Sequence, residues 1–501
     1  LNFAPVDWVI VVLYLAGSLA IGILGKKFVG DVTHFLVAGR ELGVHIGIAT
    51  LAATEIGTIT FMYFAELGYK AGFAAFCTAL ISGIVMIIVG RTGFVVQKFR
   101  ELKLMTVPEY FQVKYSQGLR ILTGCLVAIG GILNMGIFLK IEGQFLTRVS
   151  GIPADYLVAV MTAILLLELV YTVLGGMVSV VITDFLQYVL LSVATILVTI
   201  YAVNSAGWDN ITQKVTSLMG SGGWNPLDNP KFGWTFLIWQ VLLWFAMNAC
   251  WQTTMMRVFA TNSPSTAKRV MTWTGVIFLG RGMLPMLWGI CALTLLGTGP
   301  IGPDGSPTPM HNGQPIEPIE AMPIMISELL GPGVRGIVVA GMLAATMSVN
   351  SSYLLGWSSV ISQDIIMPIR EKLGRGALDS KRQIFINRVA NLFVSLFVMF
   401  WGLYYPMAEA AYLYLTITGT IFLSGAFVSV VGGLYWKHAN VVGGYAAMLL
   451  GAAGAIVPFF FLKWDANITG FSAFAMAAIG LIFGSLLGRQ RVRPLTAEAA
   501  P

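Results

Sequence analysis

Long apolar runs separated by short polar connectors predict thirteen spans, at 7–25, 44–67, 72–97, 120–146, 154–174, 179–203, 233–257, 270–296, 335–362, 384–405, 408–433, 441–462 and 467–488. A helix rises about 1.5 Å per residue, so about 20 apolar residues cross the hydrocarbon of a bilayer. The pattern predicts an all-α polytopic membrane protein. An odd number of crossings puts the two termini on opposite sides. The first run, Trp8–Leu24, has no basic residue before it and no small-residue cleavage site, so it reads as a transmembrane helix rather than a signal peptide.

Two runs depart from a plain apolar pattern. The span at 44–67 carries Gly47, Gly57, Thr50, Thr54, Glu55, Thr58 and Thr60, which weakens it as a continuous helix. It reads either as a broken helix whose freed carbonyls hold a cation, or as a packed helix with a protonated Glu55. The run Ile337–Ile361 carries Thr346, Ser348, Asn350, Ser351, Ser352, Ser358 and Ser359. On a helix Ser348 and Ser352 stack on one face with Ser351 beside them. Such a stripe of hydroxyls suits a hard cation such as sodium, or simply lets helices pack closely.

Composition sharpens the class. The 501 residues are 57% hydrophobic and only 11% charged, against roughly a quarter charged in a soluble domain. Mean hydropathy is +0.80. The net charge of +7 does not point to nucleic acid, because the basic residues gather in one set of loops. Twenty-one Lys and Arg residues, from Lys26, Lys27 and Arg40 through Arg120, Arg257 and Arg388 to Arg489, Arg491 and Arg493, fall on one side and six on the other. The positive-inside rule makes the richer side cytoplasmic. The N-terminus is then outside and the C-terminus inside; the expected location is the bacterial plasma membrane, with anionic lipid against the basic loops. Cys77, Cys125, Cys250 and Cys291 lie in apolar runs with no metal spacing. No nucleophile–base motif or phosphate loop appears, so no enzyme and no cofactor is expected. The segments 204–232 and 297–333 read either as caps of an external vestibule or as ordinary external connectors.

Ionisable residues inside spans are costly and mark function. Here they are Glu55, Lys140, Glu142, Glu168, Asp184 and Arg281; Glu409 falls at an external end. Asp184 follows Gly175-Gly176 and sits too deep for a helix cap, so it needs a cation, a proton or a hydrogen-bonding partner. Lys140 and Glu142, two residues apart, face different directions. Lys140 reads either as a partner for a substrate carboxylate or as half of an ion pair. Glu168 and Arg281 read as structural.

The stretches Phe35–Gly43, Leu102–Tyr115, GGMVSVVITDFLQ, CWQTTMMR with Gln252 and Arg257, AATMSVNSS and Gly432–Gly444 resemble the sodium:solute symporter family, which includes sodium/proline, sodium/glucose and sialic acid transporters. The resemblance implies a leucine-transporter-type core. Helices 2–6 (44–232 with an external loop) and 7–11 (233–433) would form five-plus-five inverted repeats, flanked by an N-terminal helix within 1–43 and two C-terminal helices within 434–501. It implies a principal sodium site at Ala53, Ile56, Ala345 and Ser348, where Val349 stands in place of a second hydroxyl. It implies a second site at Asp184, Ser348, Ser351 and Ser352. Glu55 is expected to take part in coupling. Thr58, Thr60, Lys140, Gln252 and Thr416, with Asn248, Tyr412 and Thr418, fall in the family's substrate region.

The function these readings converge on is sodium-coupled symport of a small organic solute by alternating access, with Na+ as coupling ion and a carboxylate on the solute if Lys140 binds it. The alternatives are a proton-coupled or uncoupled carrier on the same fold, motivated by Val349 and Glu55, and a transporter-like sensor or channel.

Overall fold

The computed structural model describes residues 3–25, 31–302, 305–376, 378–405 and 410–488. Lys26, Lys27, Glu409, Arg489, Arg491 and Arg493 lie outside the described residues. Each predicted span falls on helix over its described part. The first is Pro5–Gly25. The second is two helices, Val44–Glu55 and Thr58–Ala71. Phe76–Thr92 is the third, and the fourth bends between Gln117–Met135 and Phe138–Ser150. The fifth and sixth share Leu157–Ala206. The seventh is again two helices, Gly233–Cys250 and Gln252–Ala260. Pro264–Leu295, Val334–Val360, Ser380–Tyr404, Ala411–Tyr435, Val441–Ile456 and Ala466–Leu487 complete the set. Among the described residues, ten helical segments have the length and hydropathy to cross a membrane. Breaks and fusions account for the difference from thirteen: Thr58–Thr92 runs on as one segment, for example, and Pro5–Ile21 is apolar but shorter.

Gly176 makes the turn between the fifth and sixth spans. Its φ of 55° and ψ of −154° fall where only glycine sits without strain. A Cβ there would stand 2.5 Å from a ring carbon of Phe35. Gly176 thereby turns the chain ahead of Asp184.

The second half of the second span, Thr58–Ala71, packs along the eighth, and the third span lies against the eighth as well. Glycine permits this approach. A Cβ on Gly289 would lie 1.9 Å from the Ala65 carbonyl oxygen, and one on Gly68 would lie 2.1 Å from that of Met286. Small residues at such crossings let backbones touch, which drives helix association in lipid. Gly289→Ala is expected to cost about 1–3 kcal/mol through overpacking. The check is the thermal midpoint of detergent-purified protein; an unchanged midpoint would place the two backbones farther apart. Outward-pointing Leu13, Phe393 and Phe483 are 67%, 63% and 59% exposed, an exterior suited to hydrocarbon rather than to water.

Three loop expectations change. The segment 297–333 is no plain connector: it holds a three-stranded antiparallel sheet and the buried-sided helix Ala321–Leu329. It is pinned to the fourth span by Arg148 and Glu320, bonded twice at 2.9 and 3.0 Å. The segment 204–232 contributes the helix Trp208–Met219. Elements this short leave no signal in a window set to membrane thickness. On the other face Arg120, counted among loop cations, is buried and pairs with Asp364 at 2.7 Å.

Candidate functional site

The site forms where two broken helices meet the ninth span. In the second span, helix stops at Glu55; Ile56 (ψ of 80°) leaves the helical region and Gly57 (ψ of 167°) is extended before helix resumes at Thr58. A helix end leaves unpaired carbonyls on one side and unpaired N–H groups on the other. Thr60 serves both: its hydroxyl accepts from the Gly57 N–H at 3.2 Å and lies 3.4 Å from the Glu55 carbonyl. Gly57 is required by its neighbour, since a Cβ there would sit 2.7 Å from a methyl of Val349. The seventh span breaks at Trp251, whose φ and ψ are −71° and 118°. The Trp251 indole N–H donates to the Tyr353 hydroxyl at 3.2 Å.

Below the break in the second span lies a fully buried polar cluster. Asp184 accepts from the Ser348 hydroxyl through Oδ1 and from the Thr50 hydroxyl through Oδ2, each at 2.5 Å. Arg257 from the seventh span reaches Oδ2 at 3.3 Å, with both side chains fully buried. The same guanidinium nitrogen donates to Ser352, and Ser352 lies 3.2 Å from the Thr54 hydroxyl. Ser351 turns to its own helix, donating to the Ser348 carbonyl at 3.1 Å. The predicted grouping of Asp184, Ser348 and Ser352 thus holds in space, but the charge facing Asp184 is the protein's own arginine. In the sequence Arg257 counts as a loop cation at the end of its span.

Above the break is a partly open cavity, walled by the second, fourth, seventh, eighth, ninth and eleventh spans. It is narrow, with a free volume of about 60 Å3, room for a few waters. Glu55 faces it, and its Oε1 accepts from the hydroxyls of Thr253 and Thr254 at 3.0 and 2.7 Å. Arg281 faces it from the eighth span. The Arg281 guanidinium lies over the rings of Phe278 and Trp244 at 4.3 and 5.8 Å and touches the Tyr63 hydroxyl at 3.4 Å. Its Nε and Nη1 are buried without a hydrogen-bond partner. The cavity therefore offers a carboxylate and an under-coordinated guanidinium within aromatic walls.

The predicted substrate residues divide. Thr60 and Thr416 line the cavity, as do Tyr412 and Glu55. Lys140 does not: its ammonium lies 3.4 Å from the Tyr405 carbonyl. Thr58 donates to the Met342 carbonyl at 2.6 Å. Gln252 accepts from the Val107 N–H at 2.9 Å, closing the inner helix Val107–Lys114 against the seventh span. Asn248 and Thr418 bond back to carbonyls four residues earlier. Arg281, read as structural, lines the cavity where Lys140 does not. Its signal in the sequence was depth, an arginine 17 residues into the 32-residue helix Pro264–Leu295.

Two broken helices crossing a central ninth helix, with a cavity beside them, define a secondary carrier of the leucine-transporter fold. The fold of a Na+-coupled sialic acid symporter, solved substrate-bound and outward-open, matches this chain with a TM-score of 0.81 at 18% identity, over 98% of this chain and 100% of that one. The chain belongs to the sodium:solute symporter family, whose model matches residues 35–451. Sodium-coupled symport of a small solute is the activity that defines this family. The chain is 24% identical over 472 residues to the sodium/pantothenate symporter of Haemophilus influenzae, covering 91% of this chain and 90% of that one. It is 23% identical over 397 residues to a candidate sodium-dependent multivitamin transporter of Drosophila melanogaster, 77% of this chain but 63% of that protein's length.

Proposed function

We propose that this integral membrane protein carries a small carboxylate-bearing solute together with sodium by alternating access, and that Arg281 holds the carboxylate. The observation that carries this reading is the buried guanidinium with two unpartnered donors, facing the cavity. A buried cation in that state is satisfied by an anion that brings matching acceptors. Glu55 opposes it across the same cavity, which favours a solute with a donor or a cationic group at its other end. The cavity holds a few waters, so the walls part to admit a solute. The repeats at 44–232 and 233–433 are the units that move. The N-terminus is outside and the C-terminus inside, in a plasma membrane of bacterial type. No catalysed reaction enters the reading.

Sodium is assigned to the principal site: the carbonyls of Ala53, Ile56 and Ala345 with the hydroxyl of Ser348. Ala53 lies in the last turn before the break, where carbonyls lack helical partners. Because Ser348 gives its proton to Asp184, its lone pairs face away from that bond and suit a cation. Asp184 then acts through Ser348, while Arg257 stands where a second sodium ion would. Val349 presents methyls at the break. Val349→Ser adds an oxygen ligand and is expected to lower the sodium concentration for half-maximal uptake several-fold; a higher one would remove Ser348 and its neighbours from the ion's coordination.

The direct test is the purified chain in liposomes, with a panel of small acids, amino acids and neutral analogues and an imposed sodium or proton gradient. Sodium-driven uptake of a carboxylate-bearing solute is the expected result. Uptake confined to neutral solutes would remove the role given to Arg281, and uptake driven by protons alone would remove sodium.

A further inference from the structure

A second group of buried oxygens lies on the other side of the ninth helix. Asn350 is two residues from Ser348, so it projects from a different face. Its Nδ2 donates to Glu142 Oε2 at 2.8 Å and to Glu168 Oε1 at 2.9 Å. Glu142 is 2% exposed and Glu168 and Asn350 are fully buried. One amide thus draws together carboxylates from the fourth and fifth spans. Each carboxylate has its other oxygen, Glu142 Oε1 and Glu168 Oε2, buried without a partner, and Asn350 Oδ1 is unpartnered too. Thr172, one turn beyond Glu168 on the same helix face, also has a buried hydroxyl with no partner.

Among the described residues no basic side chain reaches this pair. Lys140 turns to the Tyr405 carbonyl, Arg148 to Glu320, Lys70 to Glu66 and Arg257 to Asp184. Glu328, on the short outer helix, faces His311. The tenth span carries Lys381, Arg382 and Arg388 in its first turns, whereas Tyr405, the neighbour of Lys140, follows its last. Two carboxylates this close in a medium of low dielectric cannot both stay charged on their own. Hydrogen bonds from the Asn350 amide and from the Thr346 hydroxyl beside Glu142 are neutral donors and do not cancel the charge. The unpartnered atoms are all oxygens, the ligand set of a hard cation rather than of an anion or a soft metal.

We infer that Glu142, Glu168 and Asn350 form a binding site for one small monovalent cation, a proton or Na+, separate from the site at Ser348. A proton makes one O–H bond on either carboxylate and leaves the pair with a single charge. A sodium ion takes Glu142 Oε1, Glu168 Oε2 and Asn350 Oδ1 as ligands. Both sites share the ninth helix, so movement of that helix during transport changes both. The assignment does not depend on which solute is carried.

The test counts ions on the full-length protein. Equilibrium binding of radioactive sodium to detergent-purified wild type and to Glu142→Gln/Glu168→Gln, at two pH values, gives sodium bound per chain. Proton release or uptake on adding sodium or a transported solute, followed with a pH dye in weak buffer, gives protons per chain. Sodium occupancy predicts one ion fewer in the double variant, with the ion lost in Ser348→Ala still bound. Proton occupancy predicts equal sodium counts and one proton fewer exchanged. Equal sodium and equal proton counts would overturn the site and leave a permanently protonated packing contact. Should the double variant not survive purification, Glu142→Gln and Glu168→Gln singly serve. Each removes one charge and is expected to weaken cation binding at least tenfold, and unchanged binding in both would be decisive against it.

Discussion

Asp184→Ala is expected to destabilise the protein by about 3–5 kcal/mol, because it leaves the Arg257 guanidinium charged, buried and unpaired. Both partners are fully buried, so water does not replace the lost carboxylate. Asp184 also accepts from Thr50 and Ser348, and those hydroxyls lose their acceptor in the same step. The measurement is the thermal midpoint in detergent for Asp184→Ala, Arg257→Met and the double variant. The double is expected to recover most of the loss, since replacing a buried pair by apolar groups is often neutral. A double variant as unstable as the sum of the singles would mean that the two side chains do not act as a unit. Asp184→Asn is expected to fall between, as its amide oxygen still accepts. Sodium-driven uptake in Asp184→Asn is expected to persist with a raised half-saturation, because in the proposed site the ion contacts Ser348 rather than Asp184. Complete loss of sodium dependence in a folded Asp184→Asn protein would return the ion to Asp184.

Arg281→Met is expected to raise the half-saturation concentration for a carboxylate-bearing solute by roughly thirtyfold or more. Truncating one side of a buried, hydrogen-bonded charge pair costs about 2–5 kcal/mol, and about 1.4 kcal/mol is tenfold in affinity. Methionine keeps the length and packs against Phe278 and Trp244, so the aromatic contacts at 4.3 and 5.8 Å are replaced rather than emptied. The discriminating readout is the ratio of uptake for an acid and for its amide analogue. Wild type is expected to prefer the acid strongly, and Arg281→Met to lose that preference. Lys140→Met is the matched control: its ammonium sits by the Tyr405 carbonyl outside the cavity, so the ratio is expected to stay as in wild type. A ratio that collapses in Lys140→Met and survives in Arg281→Met would exchange the two roles.

The two arginines show where reading the chain in one dimension stops. Arg257 is a cation at the end of a span in the sequence, the usual place for a side chain that reaches back to water. The break at Trp251 shortens the helix before it and carries Gln252–Ala260 inward, so the same residue ends beside Asp184. Arg281 was visible as a buried charge, but a buried charge announces only its cost. Whether a partner meets it depends on helices far away in sequence. Glu168, likewise read as structural, acquires meaning only from Glu142 and Asn350.

Other features were legible because their causes are local. About 20 apolar residues make a span wherever they occur. Gly57 among threonines weakens a helix at its own position, and Gly176 turns the chain because its own φ and ψ exclude a side chain. The sequence by itself therefore determined the apolar spans, the weak point in the helix at Gly57 and the family resemblance. Only the tertiary structure decided which charges meet. Arg257 finds Asp184 across 73 residues of chain, and Asn350 finds Glu142 and Glu168 across 208 and 182. Hydrophobic length and backbone strain belong to a segment. The neutralisation of a buried charge belongs to the packing of several segments, and that packing exists only once they are assembled.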